Sequence, residues 1–162
     1  DIVADDRPGR QTHGYGVNVE QPVADRGDTG AFLRWGWNDG NAESFAFTQV
    51  DEVVSFGGQL SGVHWKRPDD RLGLAVASES LDAPQEQYLA AGGLGFLVGD
   101  GRLNYGHEQI LETYYRFEYT WPEHPGPIKW QLSPDFQYIQ NPGYNRDRGP
   151  VHFWGIRLHL EY

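Results

Sequence analysis

A chain of 162 residues without cysteine is one domain's worth of sequence and excludes a disulfide scaffold or a cysteine-ligated metal site. Its net charge of −10 argues against nucleic acid, whose binding needs a basic footprint. No apolar run reaches the roughly 18 to 20 residues of a membrane-spanning helix, while 14% aromatics and 21 glycines favour strands and tight packing.

Seven strand candidates follow one another, separated by turn chemistry. The first runs near His13 to Val23, with Tyr15, Val17 and Val19 on one face and Gly16, Asn18 and Glu20 on the other. In the second, Ala31 to Asn38, Leu33, Trp35 and Trp37 oppose Phe32, Arg34 and Gly36. The third lies within Val53 to Trp65 and is too glycine-rich for its facing to be read. Leu72, Leu74 and Val76 mark the fourth, with Gly73, Ala75 and Ala77 inward. The fifth alternates most clearly, Leu111, Thr113, Tyr115, Phe117, Tyr119 and Trp121 against Glu112, Tyr114, Arg116, Glu118 and Thr120. In the sixth, Trp130, Leu132, Phe136 and Tyr138 alternate with Gln131, Ser133, Asp135 and Gln137. Pro134 lacks a ladder donor, so a bulge or a late strand start is expected there. The seventh, Val151 to Tyr162, sets Trp154, Ile156, Leu158, Leu160 and Tyr162 against Phe153, Gly155, Arg157, His159 and Glu161. A long apolar face ending in an aromatic, opposed by a row of both charge signs, suits lipid on one side and a wet lumen on the other.

The connections alternate. Ala24–Gly30, Lys66–Arg71 and Pro122–Pro127 are short; Asp39–Glu52, Ser80–His107 and Asn141–Pro150 are longer. Outer-membrane barrels have short periplasmic turns and long extracellular loops, which sets the C-terminus in the periplasm. The first strand then runs downward, so an earlier upward strand is expected before Asp1. With no methionine and no leader, the sequence reads as a processed chain, a fragment or part of something longer. Seven strands alone leave two unpaired edges, which lipid does not tolerate, so a partner segment is expected to close the sheet. The longest loop holds one helix candidate: Asp82 as N-cap, Pro84 in the first turn, Gln85 to Ala91, and Gly92 to stop it. This loop is expected to fold inward and narrow the pore.

Arg34-Trp35-Gly36-Trp37-Asn38-Asp39-Gly40, Phe47-Thr48 with Asp51, and Arg67-Pro68-Asp69-Asp70-Arg71-Leu72-Gly73-Leu74-Ala75 together resemble the carbohydrate-selective outer-membrane porins of the OprB type. Gly99-Asp100-Gly101-Arg102-Leu103-Asn104-Tyr105, Glu108 to Tyr115, and Pro134-Asp135-Phe136-Gln137-Tyr138-Ile139 with Asn141-Pro142 extend the likeness in the family's order. The resemblance implies an all-β, antiparallel transmembrane barrel portion, about seven of roughly 16 strands. On it, residues 1–162 form a single segment, the C-terminal part of a sugar channel in the bacterial outer membrane. The N-terminal barrel segment or another chain would close it, and its contacts are carbohydrate and outer-membrane lipid, with no cofactor.

Lumen-facing Arg34, Glu112, Arg116, Glu118 and Arg157, with Tyr114 as a stacking ring, are the candidate sugar contacts, since sugar hydroxyls both donate and accept. Cross-strand pairing that merely stiffens the wall is the bland alternative. Arg116 and Glu112 stand about 13 Å apart by strand rise, so each needs another partner; Arg34 and Arg157 would complete a mixed-charge ring. Trp35, Trp37, Trp121, Trp130, Trp154 and Tyr162 are outward and expected at the membrane interface. Catalysis finds little footing. His107-Glu108 lacks a second histidine at zinc-protease spacing, and the Gly92–Gly101 run lacks nucleotide-binding spacing. Glu112 and Glu118 lie about 20 Å apart on one strand, too far for a glycosidase pair. Arg26-Gly27-Asp28 reads as a chance triplet. The main competitor is a soluble β-sandwich carbohydrate-binding module, which would bury the aromatics in a core. An outer-membrane enzyme or a small barrel serving only assembly is a weaker third reading.

Overall fold

A computed structural model of the chain, described for residues 11–40, 49–95, 98–122 and 128–162, forms one antiparallel sheet in which every strand pairs with its sequence neighbour. The strands are β1 Gly14–Ala24, β2 Thr29–Asn38, β3 Glu52–Ser61, β4 Arg71–Ser80, β5 Glu108–Trp121, β6 Ile128–Gln140 and β7 Val151–Glu161. The expected seven strands are all present, in order. The motif Phe47-Thr48, Phe96-Leu97 in the glycine-rich run, and residues 123–127 of the fifth connection lie outside the described residues.

Cross-strand register decides which side chains share a face. Val17 stands opposite Trp35 and Trp35 opposite Val54; Leu72 stands opposite Tyr115, and Leu132 opposite Leu158. One face is therefore apolar from β1 to β7. It is also open: Trp154 is 81% and Ile156 76% exposed, and Phe56, Leu74, Leu132 and Leu158 are exposed with them. No second sheet covers this face among the described residues, which removes the sandwich reading. The register settles β3 as well, with Val54, Phe56 and Leu60 on the apolar face beside Trp35, Leu33 and Leu72.

Pro134 corrects an expectation. It sits inside β6, paired with Ile156 of β7, with neither a bulge nor a late start. The ladder to β5 lapses between Asp135 and Leu132 and resumes in the same register. A missing N–H costs one ladder bond there, while both flanks hold the strand in line. The register shift that does occur falls in β1 between Pro22 and Ala24, where the chain tightens into the 25–28 turn.

The connection between β3 and β4 is clasped at Asp70, which is 1% exposed. The Trp65 indole N–H donates to the Tyr115 hydroxyl at 2.6 Å, and that hydroxyl donates to Asp70 Oδ2 at 2.6 Å. The backbone N–H of Glu118 donates to Oδ1 at 3.0 Å, and the Arg67 guanidinium forks onto both oxygens. Burial pushes the Asp70 carboxyl up, but donation from Arg67, the Glu118 N–H and the Tyr115 hydroxyl outweighs it and holds the group at about 2. A carboxyl held below its unfolded value stabilises the fold above that value and loses the contribution as pH falls through the folded one. Between about pH 4 and pH 2, the amide protection factors across residues 62–70 in detergent should therefore fall; in Asp70→Asn they should be low already at pH 7 and change little over that interval.

Candidate functional site

The opposite face carries the polar side chains, and register sorts them into rows. One row runs Glu20, Phe32, Gly57, Ala75, Glu112, Gln137 and Phe153. The next holds Gly30, Gln59, Gly73, Tyr114, Asp135 and Gly155. Arg71 and Arg116 are paired in the row beyond.

The predicted polar residues all lie on this face, but as separate clusters instead of one ring. Arg157 pairs with Asp135 at 3.0 Å and reaches Glu112 at 3.7 Å; Gln137 donates to Glu112 at 3.0 Å. Arg116 lies 3.7 Å from Glu118, which accepts from Gln131 at 2.8 Å, and the Arg116 Nε has no partner in the described structure. Arg34 stays on the β1–β2 side, donating to Asn18 at 3.2 Å and Glu20 at 3.0 Å, with its guanidinium 4.9 Å from the Phe32 ring centre. The Tyr114 hydroxyl donates to Gln59 Oε1 at 2.9 Å. Asp135, Gln137 and Gln131 alternate correctly in the sixth strand, but their roles needed the register that sets them opposite β5 and β7. Phe32 carried no signal beyond parity, and Gln59, in the third strand, not even that.

The outward aromatics fall into two bands. Trp35, Trp37 and Trp154 sit near the strand ends that lead to long connections, whereas Trp121, Trp130 and Tyr162 sit where the short ones and the C-terminus lie. Trp37 stacks on Tyr15 at 6.1 Å, the Trp35 N–H donates to Glu52 at 3.1 Å, and Trp154 packs 4.5 Å from Phe136. Between the bands Val54, Phe56, Leu74, Val76, Leu132, Ile156 and Leu158 are exposed.

At the long-connection end the loops build a small core of their own from Leu81, Leu89, Val98 and Tyr144. Helix α1, Ala83–Ala90, starts after Asp82 and stops before Gly92, whose φ of +92° reverses the chain. Asp82 makes no side-chain cap; instead its N–H donates to Asp51 at 2.8 Å. The Tyr144 hydroxyl donates to the Gln49 carbonyl, and the Val98 N–H donates to the Gln49 side chain at 2.6 Å. Gly143 N–H donates to Glu108 at 2.6 Å, on the polar-face parity of β5, which brings the 142–144 turn over that face. Burial first, then the carboxylates of Glu79, Glu108 and Asp51, push the Tyr144 phenol far above its usual range, so it remains a hydrogen-bond donor.

The carbohydrate-selective porin model, OprB family, matches residues 3–162. The chain belongs to the OprB family. Membership implies the bacterial outer membrane. A solved structure of Pseudomonas putida OprB, at high pH, is similar at 20% identity and a TM-score of 0.65; the match covers 91% of this chain and 34% of that one. This chain thus spans about a third of that porin's length, and the likeness shows the shared fold. No curated protein matches it.

Leu89, fully buried in the loop core, gives a direct test of that packing. Leu89→Ala should destabilise the loops by about 2 to 5 kcal/mol, seen as faster proteolytic cutting between residues 81 and 107 while the strand amides stay protected.

Proposed function

We propose that this chain is the C-terminal portion of an outer-membrane porin through which small carbohydrates diffuse. Its apolar face meets lipid, its polar face lines the lumen, the long loops are extracellular and the C-terminus is periplasmic. The observation that carries the reading is one sheet with an exposed apolar face, flanked by two aromatic bands, and an opposite face of carboxylates, guanidinium groups and amides. Family membership supports the substrate class.

The β1 and β7 edges have no partner in the described sheet, and lipid cannot satisfy their backbone groups. Further strands, from an N-terminal barrel segment or another chain, therefore close the barrel. Trp35, Trp37, Trp121, Trp130, Trp154 and Tyr162 anchor the two interfaces, as amphipathic rings do at headgroup level. Arg34, Glu112, Tyr114, Arg116, Glu118 and Arg157 offer donors and acceptors to sugar hydroxyls. Their mixed signs give an uncharged solute no long-range attraction, so affinity is weak and salt changes it little. Among the described residues of this wall no nucleophile is hydrogen-bonded to a base, which favours passage over catalysis.

Leu158→Arg should cost the closed barrel about 2 to 4 kcal/mol if its side chain sits near the bilayer midplane; unchanged unfolding stability in lipid would reverse the facing. In planar bilayers the closed barrel should conduct ions and be blocked by added sugar. Removing residues 85–99 should raise its single-channel conductance, since this loop packs on Tyr144 of the turn that meets Glu108 of the polar face. Equal conductance and equal sugar uptake would put the loop outside the pore.

A further inference from the structure

Two aromatic rings of the polar face pack closely on glycines of neighbouring strands, and one cavity is lined by both rings. The Tyr114 ring rests on Gly73, where any side chain would meet it: a Cβ there would fall 2.1 Å from the ring. The Phe32 ring rests on Gly57 in the same way, 2.7 Å from a Cβ built there. The cavity measures about 350 Å³ and is lined by Glu20, Phe32, Gln59, Glu112 and Tyr114 among others. That lies at the low end of the roughly 300 to 1,000 Å³ of small-molecule sites.

Its chemistry is selective. The Arg34 guanidinium already covers the Phe32 ring, which makes Phe32 a wall. Among the described residues no ring or cation contact falls on Tyr114, and its hydroxyl is fixed by Gln59. Gln59 is in turn fixed, its amide donating to the Asp28 carbonyl at 3.1 Å. A ring packed on backbone at Gly73, fixed at its hydroxyl and lining the cavity, is an apolar platform with polar edges. Glu20 and Glu112 each accept one hydrogen bond from the protein and keep further lone pairs for hydroxyl donors. Carboxylates on both sides repel anions.

We propose that this cavity is a binding subsite for an uncharged pyranose, whose C–H face packs on the Tyr114 ring while its hydroxyls donate to Glu20 and Glu112. The subsite rests on the sugar-channel reading above and specifies where on the wall a sugar pauses. Gly73 is the positioning residue, because only a bare backbone lets the ring pack there.

The test is block of ion current through the closed barrel, with D-glucose as one probe and sorbitol, a polyol without a ring face, as the other. Tyr114→Leu should raise the glucose concentration for half-block by about three- to tenfold, well beyond any change in sorbitol block. Tyr114→Phe, which keeps the ring but loses the bond to Gln59, should lose less than Tyr114→Leu. If Tyr114→Leu does not assemble, Tyr114→Gln is the second ring-free variant, with the same loss expected. A parent blocked by glucose and a ring-free variant blocked equally would overturn the subsite and leave the channel intact. A parent that neither is blocked by glucose nor admits it would overturn the channel reading and the subsite with it.

Discussion

The backbone ladder is the constraint on which everything else depends. Each of the seven strands pairs antiparallel with its sequence neighbours, and side chains alternate faces with a period of two. A slip of one residue in any pair would carry that strand's whole apolar set to the other face. The pairs between β2 and β3, β3 and β4, and β6 and β7 hold a single register throughout, and even Pro134 leaves it unmoved. Facing is therefore a collective property of the sheet, set by many weak preferences that agree.

The polar face is organised more than it is stabilised by its charges. Arg34 and Glu20 are 56% and 61% exposed, and pairs of that kind contribute little to folding because solvent screens them. What they do is orient. Arg157 holds Asp135, Gln137 holds Glu112, and Gln131 holds Glu118, so each carboxylate presents a fixed lone pair to the space above the sheet. Small residues at Gly57, Gly73 and Ala75 keep that space open beside them, since a larger side chain in the same row would fill it.

Order at the two ends of the sheet has different physical origins. At the short-connection end, one buried carboxylate collects four donors and fastens the β3–β4 turn to β5. At the other end, apolar burial does the work, with Leu81, Leu89, Val98 and Tyr144 meeting from two connections. Hydrogen bonds then tie those connections to each other, as the Gly106 N–H does by donating to the Tyr144 carbonyl and the Arg146 N–H by donating to the Asn104 carbonyl, each at 2.9 Å. A sheet with no covered face has no core of its own, and the loop cluster is the one place where apolar side chains of the described residues pack away from solvent.

The sequence by itself determined the strands and their facing wherever alternation is strong: Tyr15 to Val19, Leu33 to Trp37, Leu111 to Trp121 and Trp154 to Tyr162 read correctly because period two is written in the residue types. It also determined the helix Ala83–Ala90, from Pro84 in the first turn and Gly92 past the end although Asp82 makes no side-chain cap, and the rhythm of short and long connections. Only the tertiary structure decided the rest. The facing of β3 hung on Trp35 and Leu33 across the ladder, since Val53-Val54-Ser55-Phe56-Gly57-Gly58 alternates too weakly to choose. Asp70 looked like one more polar turn residue until Tyr115 and Glu118, some 45 and 48 positions later, were brought to it. The mixed-charge ring became separate clusters because partners are fixed by register between strands, and the ring seats at Gly57 and Gly73 exist only between strands. Local pattern encodes direction along one strand; which side chains meet is a property of pairing, and pairing joins residues that the sequence keeps far apart.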